Sequence, residues 1–206
     1  MTGGPMKQDD ERPTVTIPCE PCGAVMPAYD VVSCGSIEEG YRQICFHCFN
    51  AEMAGRQGLA DFENCRFDEI AMTDCAGMVH DFHFRTRLMG AIVALDAFEL
   101  KDGEPAGYQF QIIGEAGDDL FSLLGRLVER IRRKLSAKYL VQTEHGPQIA
   151  DLTVCAQIDW DAAHDGRVPL LVMDGEEVSW DEFGRMLMTF EGWQFRMEIA
   201  DRSGEN

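Results

Sequence analysis

Apolar positions change spacing several times along the chain, and each change marks an element. In HDFHFRTRL, residues 80–88, Phe82, Phe84 and Leu88 fall on one side of an extended run, as side chains alternating across a strand do. AFELKDGEPAGYQFQII, residues 97–113, reads as two strands joined around Asp102 to Gly107, which makes this region an antiparallel meander. From Asp118 the period becomes helical, with Leu120, Leu123, Leu124, Leu127, Ile131 and Leu135 forming one stripe behind acidic residues suited to a helix N-terminus. Near the end, Ser179 and Glu182 form an S-x-x-E capping box, and Trp180, Phe183, Leu187 and Phe190 line one face of a second helix that Gly192 ends. Trp193, Phe195, Met197 and Ile199 then alternate with Gln194, Arg196 and Glu198, which predicts a half-buried closing strand. Further strands are expected near Leu152–Ile158 and Leu170–Met173, with Asp174-Gly175 as a tight turn into the last helix. The order of strands, helix, strands, helix and strand gives an α+β fold with a mainly antiparallel sheet and two packed helices.

The N-terminal quarter follows a different logic. Residues 1–14 lack an apolar run and are expected to form a flexible tail, neither a secretory signal nor an anchor. Cys19 and Cys22, in IPCEPCGA, are followed 22 residues later by Cys45 and Cys48, in QICFHC. Two C-x2-C pairs suit four thiolates set tetrahedrally about zinc, each pair wrapping the ion through a knuckle turn, and Gly23 supplies the backbone freedom that the first knuckle needs. An iron–sulfur cluster is the rival for the same four ligands. Between the pairs, Tyr29–Ser33 and Tyr41–Ile44 read as a hairpin with a longish loop, and FNAEMAGRQG begins a helix after the second pair. Knuckle, hairpin and a C-x-x-C that opens a helix resemble the treble-clef arrangement of zinc fingers, with a plain zinc ribbon as the neighbouring type. The resemblance covers residues 15–60, and the chain as a whole is similar to a bacterial kind of protein in which a small zinc finger precedes an α+β domain, here 61–206. Four thiolates fill the coordination tetrahedron, so the metal is expected to be structural and the site closed to substrate. Cys34 and His47 lie close by as bystanders, His47 pointing away from inside its own C-x-x-C.

Composition narrows the function. The 206 residues are 45% hydrophobic and 26% charged, a globular balance, and no apolar run is long enough for a membrane span. A cytoplasmic protein without membrane contact is expected. Net charge is −18, which repels nucleic-acid phosphate over most of the surface, and Arg42 and Arg56 are the only basic residues between 15 and 60. Arg126, Arg130, Arg132, Arg133, Lys134 and Lys138 gather on and beyond the long helix, where cations meet the helix dipole favourably. The cysteine and histidine cluster Cys75, His80, Asp81, His83 and the later His145 and His164 offer candidate chemistry, but His80 and His83 diverge across a strand. No glycine-rich phosphate loop, G-x-S-x-G or H-E-x-x-H motif is present. The resulting expectation is a zinc-carrying adaptor or regulatory protein that works through a protein partner. A nucleic-acid-associated factor using the basic helix 126–138 is the alternative, and an enzyme with a site near Cys75 and His80 comes third.

Overall fold

The computed structural model describes residues 14–38 and 40–201. The tail expected over 1–14 therefore lies, Thr14 apart, outside the described residues. The chain is α+β, and all its sheets are antiparallel. In order, it forms β1 (Thr16–Pro18), β2 (Val25–Pro27), β3 (Val31–Ser36), β4 (Gly40–Cys45) and α1 (Phe46–Gln57). A second stretch follows with β5 (Ile70–Thr73), β6 (Val79–Met89), β7 (Ile92–Lys101), β8 (Glu104–Glu115) and α2 (Leu120–Leu135). The last stretch holds β9 (Leu140–Thr143), β10 (Gly146–Ile149), β11 (Gln157–Trp160), β12 (Pro169–Met173), β13 (Glu176–Ser179) and α3 (Trp180–Leu187).

The central sheet has the order β5-β6-β7-β8. Phe82, Leu95, Ala97, Phe110 and Ile112 project from it onto Leu120, Leu123, Leu127, Ile131 and Leu135 of α2, the stripe predicted from the sequence with Leu124 only partly buried. Asp119 caps α2 by accepting from the backbone N–H groups of Phe121 (3.2 Å) and Ser122 (3.1 Å), which satisfies two of the four donors a helix start leaves unpaired. The meander turn is tighter than the sequence suggested: Asp102 and Gly103 alone reverse the chain, and the irregularity at Phe98/Glu99 takes up the slack before Gly107.

The C-terminal segment forms a separate small core. Leu171, Met173, Val178 and Met186 bury together under α3, flanked by Leu140, Ile149, Val154 and Phe183. The predicted capping box is present: Glu182 N donates to Ser179 Oγ and Ser179 N to Glu182 Oε2. Two expectations change here. Asp174 and Gly175, both at positive φ, turn β12 into β13, so a strand intervenes before the helix. Of the strand expected near Leu152–Ile158, pairing begins only at Gln157. The larger correction is residues 193–199, which form no strand; all four alternating apolar side chains are exposed. The alternation is real, but a strand needs an edge to pair with, and here the segment reaches none. Among the described residues no helix is long and apolar enough to cross a membrane.

Candidate metal centre

Pro18 leads the chain off β1 into a knuckle in which Cys19 N donates to Ala24 O (2.8 Å) and Gly23 N to Cys19 O (2.7 Å). Gly23 sits at φ 72°, a conformation that costs a residue with a Cβ. The knuckle is buttoned to the hairpin by a reciprocal pair, Glu20 N to Gln43 O (2.9 Å) and Gln43 N to Glu20 Oε1 (2.9 Å). The hairpin, β3 with β4, delivers Cys45 at its end, and α1 starts at the next residue, which puts Cys48 in the first turn of the helix. The sulfur atoms of Cys19, Cys22, Cys45 and Cys48 consequently lie within 4.8 Å of one another. Among the described residues no other group of three or more His, Cys, Asp or Glu side chains converges in this way.

The surroundings suit thiolates. Cys45 N points at Cys19 Sγ (3.3 Å), and the Arg66 guanidinium donates to Cys45 Sγ (3.4 Å). Burial works to raise the Cys19 thiol, but hydrogen bonds from the Cys45 and Cys22 backbone outweigh it and bring the group down to about 7. Cys45 and Cys48 are pushed up, first by burial and then by the neighbouring thiols. Four crowded sulfurs can all carry charge together only with a cation among them, so the donor set fits a metal ion. Cys34 is partly buried against this cluster without joining it, and His47 is engaged through its backbone, accepting from Asn64 Nδ2 (2.7 Å).

The segment that carries the cysteines is fastened to the central sheet by residues that no motif marks. β5 pairs with β6 only from Val79 to Phe82, leaving the same edge of β6 without a strand further on. Asn50, 1% exposed on α1, covers it: its Nδ2 donates to Thr86 O and its Oδ1 accepts from Leu88 N, both at 2.9 Å. A side-chain amide thus replaces one rung of a ladder. Beside it, the Arg85 guanidinium lies between the Phe46 and Phe98 rings (5.1 and 5.3 Å) and donates to Tyr29 O (2.9 Å). Asp96, 3% exposed, holds Arg85, Arg87 and Gln111. A lone Asn in the helix after the second C-x-x-C and a lone Asp inside the apolar run IVALDAF were the available signals.

The other candidate residues do not assemble a second centre. His80 is buried with both ring nitrogens facing carboxylates, Nδ1 to Glu99 Oε1 at 2.8 Å and Nε2 to Asp74 Oδ2 at 3.4 Å. Cys75 is exposed and lines a groove of about 450 Å³ between β5 and α2, with Met72, Val128, Arg132 and Ser136 but without His80. His83 turns to the opposite face, against Tyr29 and Phe98, while His164 holds Asp161 (2.7 Å) within its own turn. The basic helix is largely spoken for: Arg130 donates to Gln111 O (3.2 Å), Arg132 lies 3.8 Å from Glu129 and Lys138 pairs with buried Asp74 (2.8 Å).

The hydrogen bond from Lys138 holds the Asp74 carboxyl far below the usual carboxylate range, against burial, with help from the Met78 N–H, His80 and the Ala76 N–H. A group whose folded pKa is depressed stabilises the protein above its unfolded value, near 4, and that stabilisation disappears as pH falls below it. Urea midpoints should therefore drop more between pH 6 and pH 3 for the wild type than for Asp74→Asn; equal drops would contradict this assignment.

Three family models match consecutive segments of the chain. Residues 18–60 match a domain of unknown function (DUF7685), residues 63–136 another (DUF7686) and residues 139–204 a third (DUF7713). No curated protein and no solved structure matches the chain. The segment boundaries fall where the structure changes character, after α1 and between the two apolar cores.

Proposed function

We propose that the chain is a zinc-stabilised adaptor or regulatory protein that acts through contacts with a protein partner, its N-terminal segment being a treble-clef-like zinc finger. The observation that carries this reading is the convergence of four cysteine sulfurs from a knuckle and a hairpin–helix junction within 4.8 Å. Four thiolates saturate a tetrahedral ion and leave no position for water or substrate, so zinc here holds the finger together. Iron–sulfur chemistry also uses four thiolates, and metal analysis separates the two. The reading as a binding protein draws support from His80, whose ring is committed to Asp74 and Glu99 and offers no base to Cys75. The nucleic-acid alternative loses ground because Arg130 and Lys138 are engaged within the fold. Native purification under nuclease-free conditions tests this. A protein should co-purify through moderate salt with no nucleic-acid absorbance; salt-sensitive retention on nucleic acid that Arg132→Glu with Arg133→Glu abolishes would contradict it.

A further inference from the structure

The C-terminal sheet and the C-terminal tail are each incomplete in a way that the other completes. The sheet has the order β11-β12-β13, so β11 is an edge strand with one row of backbone groups unpaired by any strand. In the register observed, Ile158 stands opposite Leu171, which stands opposite Val178, and Trp160 stands opposite Pro169. Directly opposed residues share a face of the sheet. Leu171 and Val178 belong to the buried core, yet Ile158 is 59% and Trp160 66% exposed. The core-facing side of the sheet thus runs out uncovered at β11.

Residues 193–199 have the opposite deficiency. Trp193, Phe195, Met197 and Ile199 alternate with polar residues and are 57–75% exposed, an apolar strand face with no sheet. The start of the segment is fixed, since Trp193 N donates to Phe190 O (2.9 Å) and the two rings meet edge to face at 6.0 Å. Beyond that anchor the apolar side chains are left in solvent, so the segment does not cover its own β11. The family match over 139–204 contains both β11 and residues 193–199, which makes the tail part of the same unit as the edge.

We infer that residues 193–199 of one copy add as an antiparallel strand to β11 of a second copy, and reciprocally, giving a two-fold dimer by strand exchange. Charge selects the register. Setting Arg196 opposite Asp159 places Glu198 opposite Gln157, Met197 opposite Ile158 and Phe195 opposite Trp160. A row of Met197, Ile158, Leu171 and Val178 then continues the core across four strands. Sliding by two residues one way sets Glu198 against Asp159, and the other way leaves Asp159 without Arg196. Sliding by one turns every apolar residue of the tail to the wrong face. Strand addition to an exposed edge draws affinity from main-chain hydrogen bonds and specificity from alternate side chains, and a reciprocal exchange closes at two copies. The dimer does not depend on the metal.

Sedimentation equilibrium on the full chain tests this. The wild type should be a dimer. Arg196→Asp and Asp159→Arg should each weaken it by about tenfold or more, because the pair occurs twice in the dimer, and the double variant should restore it. Arg196 is 90% exposed and Glu198, its neighbour in the same chain at 3.9 Å, is 80% exposed, so substitution there leaves the monomer fold intact. Phe195→Glu, at another exposed site, should also yield monomer. A monomeric wild type, a dimer indifferent to Arg196→Asp, or a monomer whose tail amides are protected from exchange on its own β11 would each overturn the inference.

Discussion

Replacing Cys45 and Cys48 together with alanine is expected to abolish metal binding and unravel the N-terminal cysteine-bearing segment while the rest of the chain stays folded. The N-terminal segment has little core of its own. Its buried cluster consists of Cys19, Ile44 and Cys45, with Met26, Cys34, Cys48 and Phe49 at the margin, and among the described residues of that cluster Ile44 is the one large non-cysteine side chain fully inside. Structural zinc supplies about 10 kcal/mol or more to small modules of this kind at neutral pH, far beyond what one isoleucine contributes. The central core is built differently, from the faces of β6, β7 and β8 closed by the five buried residues of α2, and among the described residues none of its members lies in that segment. Limited proteolysis of the variant should yield a resistant fragment beginning between about residues 50 and 75. The fragment will be weaker than the same region in the intact protein, because α1 shares a second cluster, Ala54 with Leu88 and Ala116, with the central sheet. Digestion of the whole chain would mean that the N-terminal segment and the rest form one core.

Asn50→Ala should be among the most damaging substitutions of a polar residue. The side chain bonds to none of the four cysteines, yet removing it strands two backbone groups of β6, Thr86 O and Leu88 N, at a position where Asn50 itself is almost fully buried. A buried group left without its partner costs about 1–3 kcal/mol, so the loss should be about 3 kcal/mol, which for a chain of this size lowers Tm by about 9 °C. Asn50→Asp should not rescue it, since a carboxylate can still accept from Leu88 N but sets an acceptor against Thr86 O. Thermal denaturation of the two variants measures this. A shift within about 0.5 kcal/mol of wild type, the usual range for a surface substitution, would contradict the role given to Asn50.

These two residue types explain what was legible in the sequence. Repeated local patterns were readable: the five-residue buried stripe of α2, the capping box of α3, the alternation of β6 and the doubled C-x2-C all depend on residues close together in the chain. The metal site is the extreme case, because cysteine spacing carries both ligand identity and turn geometry. What was not readable depends on partners far along the chain. Asn50 meets residues 36 and 38 positions away, Arg66 reaches Cys45 across 21, and Lys138, past the end of α2, finds Asp74, just past β5. Polar residues that build such junctions follow no period. The closing strand over 193–199 failed for a related reason: alternation specifies a face, while pairing needs an edge, and among the described residues of its own chain the segment reaches none.

Elemental analysis of protein purified without added metal tests the central claim most directly. One zinc per chain, lost on replacing Cys22 or Cys45 and retained on replacing Cys65, Cys75 or Cys155, is the predicted result. Iron with visible absorbance, or no metal at all in the folded protein, would contradict it.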